Sequence, residues 1–169
     1  MKLDSARSIA QKYMLQLEPY CLKVPKLNAI VNRIKIAGSI RREKDEVKDI
    51  EIVCIPDPDK IFEFAQFVDG FKKVKGEPIG KYTQRELPEG IKLDLFMADE
   101  TNYGLITMIR TGSWEFSKRM MWECITKGFY VKGGYLHNTQ TDEIVSVQDE
   151  EDFFNICNIK YVEPKQRIN

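Results

Sequence analysis

Two periods of apolar residues alternate along the chain. Between residues 4 and 17, Ala6, Ile9, Ala10, Tyr13, Met14 and Leu17 follow an i, i+3, i+4 spacing, with Asp4 or Ser5 placed to cap the start. This predicts an amphipathic helix, interrupted by Pro19. A second short helix is expected over about 26–33, after Pro25. The period then shortens. IKIAG (34–38) predicts a strand entering a turn, and DIEIVCIP (49–56) a stronger, β-branched strand closed by Pro56. A helix is expected over 60–67. Strands follow over 71–77 and 80–87, split by a Gly-Glu-Pro turn, and a well-alternating strand over 91–98.

Beyond residue 98 the texture turns helical. One helix is predicted over 103–110. Thr111-Gly112-Ser113 breaks it, and Ser113 caps a longer helix to about Lys127, with Gly128 in the C′ position. Residues 129–147 read as a hairpin, with Gly133-Gly134 and 138–142 as turn signals. A short helix over 149–157 and an irregular tail complete the pattern, with no internal repeat and no low-complexity linker. The order of helix, mixed sheet, then a small helical and hairpin module predicts an α+β fold, divided into residues 1–98 and 99–169.

Composition narrows the function classes. The 169 residues are 43% hydrophobic and 31% charged, as in ordinary globular proteins. No apolar run approaches the ~20 residues of a membrane span, and the amino terminus lacks a signal-peptide core. An intracellular protein without a membrane partner is expected. Cys21, Cys54, Cys124 and Cys157 are scattered and His137 is the single histidine, which argues against a zinc site or a disulfide framework. The formal net charge is zero, so nucleic-acid binding would rest on local patches: Arg41, Arg42, Lys44 and Lys48; Lys72, Lys73, Lys75 and Lys81; Lys118, Arg119, Lys127 and Lys132. Acid collects at Asp142, Glu143 and 149–152.

Candidate chemistry lies in GSIRREKDEVKDIE (38–51). Alternate residues of a strand share a face, so Asp49 and Glu51 point the same way, their Cα atoms roughly 6.5–7 Å apart. Ile50, Ile52 and Cys54 point into a core. Two such carboxylates repel unless solvated or bridged by a cation, and magnesium takes oxygen ligands shared with phosphates. Asp94, mid-strand between Leu93 and Leu95, adds a third acid that needs a partner or a metal. Three acids on neighbouring strands suit two metals about 3.5–4 Å apart, the arrangement for in-line displacement at phosphorus. Gly38 allows close backbone approach to a phosphate, Ser39 offers a hydroxyl, and Arg41 or Arg42 a bidentate clamp. Plainer readings stand beside these: an exposed strand edge for Asp49 and Glu51, an ordinary turn for Gly38-Ser39, and an ion pair with Lys92 for Asp94.

Together these residues resemble the nucleotidyltransferase superfamily signature, in which Gly-Ser is followed after nine to thirteen residues by Asp-h-Asp/Glu-h (h, hydrophobic). Here Gly38-Ser39 is followed, after nine residues, by Asp49-Ile50-Glu51-Ile52, and Asp94 supplies the later acid. TGSWEFSKRMMWECITKGF (111–129) is similar to the T-G-S-x-x-F-N block of family X DNA polymerases, the DNA polymerase beta group. YVEPKQR (161–167) resembles that family's Y-x-E-P-x-x-R ending. The resemblance spans about residues 34–167. It implies a palm with a mixed sheet and flanking helices, and a small C-terminal subdomain that contacts the nascent base pair. It also implies that the lyase and helix-hairpin-helix subdomains are absent, a reduced plan shared by small viral family X polymerases.

By position, the resemblance implies that Asp49, Glu51 and Asp94 are the catalytic and metal-ligating acids for two Mg2+ ions, with Mn2+ as a substitute, and that Asp94 accepts the primer 3′-hydroxyl proton. It assigns Gly38, Ser39, Arg42 and Lys48 to the phosphates, and Gly112 and Ser113 to the sugar, where the family often has a cis peptide. It assigns Trp114 and Ser117 to the base, and Lys92, Lys118 and Arg119 to DNA. A helix-face core position is the alternative for Trp114. The sequence departs from the family pattern at Glu51, at Ile109-Arg110 (usually an aromatic pair), at Ser117 (usually Asn) and at Met121 (usually Arg). The expectation is a monomeric, magnesium-dependent DNA polymerase, cytoplasmic or nucleoid-associated and of cellular or viral or phage origin. It would add dNMP from a dNTP to a primer or to a short gap of the kind met in DNA repair. Non-templated transfer to a nucleic-acid end, protein or small molecule, and a non-catalytic nucleic-acid-binding module, are the competing readings.

Overall fold

Residues 1–168 are described in a computed structural model of the chain. In chain order the elements are α1 (Leu3–Leu17), the hairpin β1 (Lys23–Lys26) and β2 (Ala29–Asn32), β3 (Ile34–Ile36), α2 (Gly38–Arg41), β4 (Asp49–Cys54), α3 (Ile61–Asp69), β5 (Lys72–Lys75), β6 (Tyr82–Glu86) and β7 (Lys92–Met97). Then follow α4 (Tyr103–Thr111), α5 (Trp114–Thr126), β8 (Phe129–Lys132), β9 (Tyr135–Asn138), β10 (Ile144–Val145) and α6 (Glu150–Ile156). The α+β expectation holds. Among the described residues no helix is long and apolar enough to cross a membrane.

One expected element is different. The segment expected as a helix over 26–33 is the hairpin β1–β2, paired Lys23↔Asn32 through Lys26↔Ala29. Val24, Ile30 and Val31 favour extended backbone over helix, and the reversal at Leu27-Asn28 is made by Leu27 in the left-handed region (φ 53°).

Five strands form the main sheet in the order β3-β4-β7-β6-β5, with β4 and β7 parallel and the other pairs antiparallel. Alternation sorts the two central strands cleanly. Ile50, Ile52 and Cys54 of β4 and Leu93, Leu95 and Met97 of β7 are buried against Ala6, Ala10, Tyr13 and Leu17 of α1 and Phe64 and Val68 of α3. On the opposite face, Val53 and Phe96 pack with Ala37, Ile55 and Tyr103. Asp49, Glu51 and Asp94 share that second face.

A separate core fills the rest of the chain. Leu105 and Met108 of α4, Phe116, Met120 and Cys124 of α5, Leu136 of β9, and Phe153 and Phe154 of α6 are all buried together. The order β10-β9-β8 makes the small sheet, and Gly133 and Gly134 turn its first hairpin with φ of 64° and 89°, as a two-residue type I′ loop requires. All four cysteines are buried free thiols.

Ion pairs join the second unit to the first, beside the apolar contact of Tyr103 and Ile106 with Ala37, Val53, Ile55 and Phe96. Arg41 of α2 holds Glu150 of α6 through both nitrogens, at 2.9 and 2.6 Å, and also donates to the Thr111 hydroxyl at 2.7 Å. Arg167 reaches the same carboxylate from the tail and donates from Nε to the Val162 carbonyl. Its guanidinium is buried among Phe116, Phe154 and Tyr161. Next to this, Asp149 receives Lys26 and Arg33. Burial pushes the Glu150 carboxyl up, but its bonds to Arg41 and then Arg167 outweigh that and hold it below the usual carboxylate range.

Glu150→Gln leaves two guanidinium groups without their counter-charge. A loss of about 3 kcal/mol in urea unfolding at pH 7 is expected. Because the native pKa is depressed, the stabilisation is present above the unfolded carboxyl value and is lost as pH falls through the native one. The gap between wild type and variant therefore narrows on acidification, and a gap that is constant with pH would contradict the assignment.

Candidate active site

Register brings the acids together. In the parallel pair, Asp49 stands beside Lys92 and Glu51 beside Asp94. β4 is an interior strand, flanked by β3 and β7, so Asp49 and Glu51 do not lie on a sheet edge. Both occupy half-buried positions, and Asp94 is buried. Burial and then the Asp49 and Asp94 charges push the Glu51 carboxyl up to about 7. Burial and then Asp94 push Asp49 up as well.

Asp94 is held by neighbours that sequence reasoning did not single out. Its Oδ1 accepts from the Tyr82 hydroxyl at 2.6 Å and from Gln84 Nε2 at 2.7 Å. Gln84 lies directly across from it in β6. This replaces the alternative of a Lys92–Asp94 ion pair; Lys92 points to solvent. The Tyr82 ring stacks on Phe96 at 5.0 Å, and the Arg110 guanidinium lies 4.1 Å over Phe96 from the other unit. The available signal was the alternation Tyr82, Gln84, Glu86, which puts two hydrogen-bond donors on one face of a strand.

Gly38 sits against the acids. Its φ is +60°, and a Cβ built there would overlap the Glu51 carboxylate. Glycine is therefore required twice, for backbone and for space. The turn it starts carries Ser39 and Arg42 into a cavity of about 530 Å³ that is also lined by Lys48, Asp49 and Glu51. Ser39 Oγ and Arg42 Nε are buried polar atoms with no hydrogen-bond partner among the described residues. Arg42 Nη1 donates to the Thr111 carbonyl at 2.7 Å, which fixes the guanidinium between the two units. Arg41, the other candidate clamp, is committed to Glu150.

A second cavity, of about 290 Å³, is lined by Arg42, Glu51, Ile109, Arg110, Gly112, Ser113, Trp114 and Ser117. Arg42 and Glu51 belong to both cavities and form their shared wall. Ser113 caps α5 by accepting from the Phe116 amide at 3.0 Å, while its own amide donates to the Arg167 carbonyl. The expected cis peptide is not found: every described peptide bond is trans, and Gly112 is extended with ψ near 158°. Trp114 is 71% exposed, so the helix-core alternative is ruled out. Ser117 faces this cavity, yet its hydroxyl donates to the Ile109 carbonyl at 2.7 Å. Lys118 and Arg119 lie on the outer surface of α5, Lys118 over Trp114 and Arg119 beside Glu123.

No three His, Cys, Asp or Glu side chains among the described residues already close around a point as a metal cage. The acids instead stand on two neighbouring strands, an all-oxygen set of the kind a hard cation takes.

Gly38→Ala is expected to cost about 1–2 kcal/mol for the left-handed backbone alone, and to displace the Glu51 side chain. Urea unfolding checks the first effect. Glycine at another positive-φ turn with open space, Gly90, serves as the control, since Gly90→Ala meets no neighbour and should cost only the backbone share.

Comparison with known proteins bears on the fold. Residues 107–168 match the family model described as DNA polymerase beta thumb. All of the chain aligns with the structure of Leishmania infantum polymerase beta in a ternary P/T complex, with a TM-score of 0.76 at 15% sequence identity, covering 77% of that chain. No curated protein sequence matches. The chain thus has the fold of polymerase beta, and its residues 107–168 are similar to the DNA polymerase beta thumb.

Proposed function

We propose that the chain is a minimal family X nucleotidyltransferase that adds dNMP from a dNTP to a DNA primer 3′-hydroxyl, at an end or in a short gap. The observation that carries this reading is one cavity lined by two kinds of unsatisfied residue: Ser39 and Arg42, whose buried Oγ and Nε lack a partner among the described residues, and the mutually repelling Asp49 and Glu51. A triphosphate with divalent cations satisfies both.

In this reading Ser39 and Arg42 take the β- and γ-phosphates, with Lys48 at the rim. Gly112 and Ser113 line the sugar, and Trp114 offers its indole to the base. Asp49, Glu51 and Asp94 would hold two Mg2+ ions, which when bound stabilise the attacking and leaving oxygens of an in-line displacement. Tyr82 and Gln84 occupy Asp94 Oδ1, which leaves Oδ2 to face the reacting groups and to take the primer hydroxyl proton. The primer oxygen forms its bond to the α-phosphorus as the bond to the pyrophosphate oxygen breaks. Lys92, Lys118 and Arg119 supply phosphate contacts to DNA.

Asp49→Ala is expected to lower primer extension by on the order of 10³-fold, with the unfolding midpoint unchanged or raised because a repelling charge is gone. Extension within tenfold of wild type would reject the assignment.

A second reading, non-templated transfer, is favoured by one observation: the Ser117 hydroxyl is spent on the Ile109 carbonyl instead of being free for a base edge. Incorporation on gapped, templated DNA is compared with that on blunt or single-stranded primers. At least tenfold preference for the templated substrate supports the first reading, and equal rates the second.

A further inference from the structure

The chain has two tryptophans, and both lie on α5 in the open. Trp114 is 71% and Trp122 63% exposed. With Lys118 between them they follow an i, i+4, i+8 spacing, within about 80° of arc and about 12 Å of helix length. Ile125, also exposed, falls inside the same arc. The core of this unit takes its α5 contribution from the other side, through the buried Phe116, Met120 and Cys124. The stripe therefore contributes nothing to that core, and leaving two indoles in water is unfavourable unless something covers them.

We propose that this stripe is a stacking platform for an unpaired single DNA strand, which stacks on Trp122 and runs along α5 from the nucleotide cavity that Trp114 borders. Three observations select that occupant. The stripe is continuous with the site, since Trp114 itself lines the 290 Å³ cavity with Arg42 and Glu51. Its centre is a cation: Lys118 Nζ lies 4.8 Å over one face of the Trp114 ring, one turn of helix from Trp122, where a phosphate of a strand stacked on Trp122 would meet positive charge. The acids keep largely to the sides, Glu123 beside Arg119 at 3.7 Å and Glu115 at one margin. Flat π faces alternating with positive charge match a nucleic-acid strand, whose bases stack on aromatic side chains without regard to sequence. At about 3.4 Å per nucleotide, the separation of the indoles accommodates three to four nucleotides. That the strand is DNA, and that it is the template running ahead of the insertion point, rests on the function proposed above. The stacking itself does not require turnover.

The test uses the full chain without nucleotide or divalent cation. Binding of a twelve-residue oligothymidylate is followed by tryptophan fluorescence quenching and by anisotropy of a labelled strand. Trp122→Ala is expected to weaken binding about 5- to 100-fold, and Trp122→Phe to recover most of it. Phe62→Ala, at an exposed apolar residue of α3, should leave binding unchanged. Equal affinity for wild type and Trp122→Ala would overturn the proposal. So would sedimentation showing a dimer that Trp122→Ala dissociates, which would make a second copy of the chain the occupant. Asp49→Ala separates this idea from the catalytic one: retained strand binding with the Trp122 effect intact upholds the platform, whether or not any variant polymerises.

Discussion

Glu150 accepts from two guanidinium groups that come from distant parts of the chain, Arg41 in the turn after β3 and Arg167 in the tail. Each of the three charges is costly to bury alone, and only the set is tolerable. Their geometry has a consequence beyond stability. The residue after Arg41 is Arg42, whose Nη1 is held by the Thr111 carbonyl. The residues after Thr111 are Gly112 and Ser113, and the Ser113 amide is held by the Arg167 carbonyl. The same knot therefore fixes the turn that carries Ser39 and the break that opens α5, one on each side of the shared wall between the two cavities.

The acids depend on a different constraint, the in-register parallel pairing of β4 with β7. A slip of one residue in either strand would send its acid, Glu51 of β4 or Asp94 of β7, to the opposite face and into the α1–α3 core. That core specifies the register strongly, because Ile50, Ile52, Leu93 and Leu95 leave no apolar alternative. Burial on one face thus enforces repulsion on the other. Tyr82 and Gln84 lessen that repulsion at Asp94, and Gly38 keeps the space beside Glu51 clear.

Much of this was legible in the sequence where a single period ran long enough. Strands β4 and β7, the helices α1 and α5, the Ser113 cap and the Gly133-Gly134 turn each carried a local signal, and the carboxylates followed from strand alternation. The hairpin over 23–32 has no comparable signal: Pro19 and Pro25 are as compatible with a helix restart, and its β-branched residues span only a few positions. Partners set by tertiary pairing left no local trace. Nothing near residue 82 indicates that its hydroxyl meets Asp94, and nothing near residue 150 indicates two arginines from residues 41 and 167. Arg41 and Arg42 look interchangeable in sequence, yet one is structural and the other faces the site.

Two carboxylates show how one chain assigns opposite tasks to the same functional group. Glu150 and Glu51 are both removed from water, and burial acts on each in the same direction. At Glu150 paired cations overcome it, so ionisation is favoured and the charge stabilises the fold above the acid range. At Glu51 the neighbours Asp49 and Asp94 add to it, so the native group holds its proton up to about pH 7 and ionisation costs stability as pH rises from the unfolded value toward that point. Arg42, the cation that acts most on Glu51, is itself pushed down by burial and makes no ion pair with it. The contrast separates a finished interaction from an open one. In the function proposed above, bound cations and phosphates would complete the interaction that Asp49, Glu51, Ser39 and Arg42 leave open.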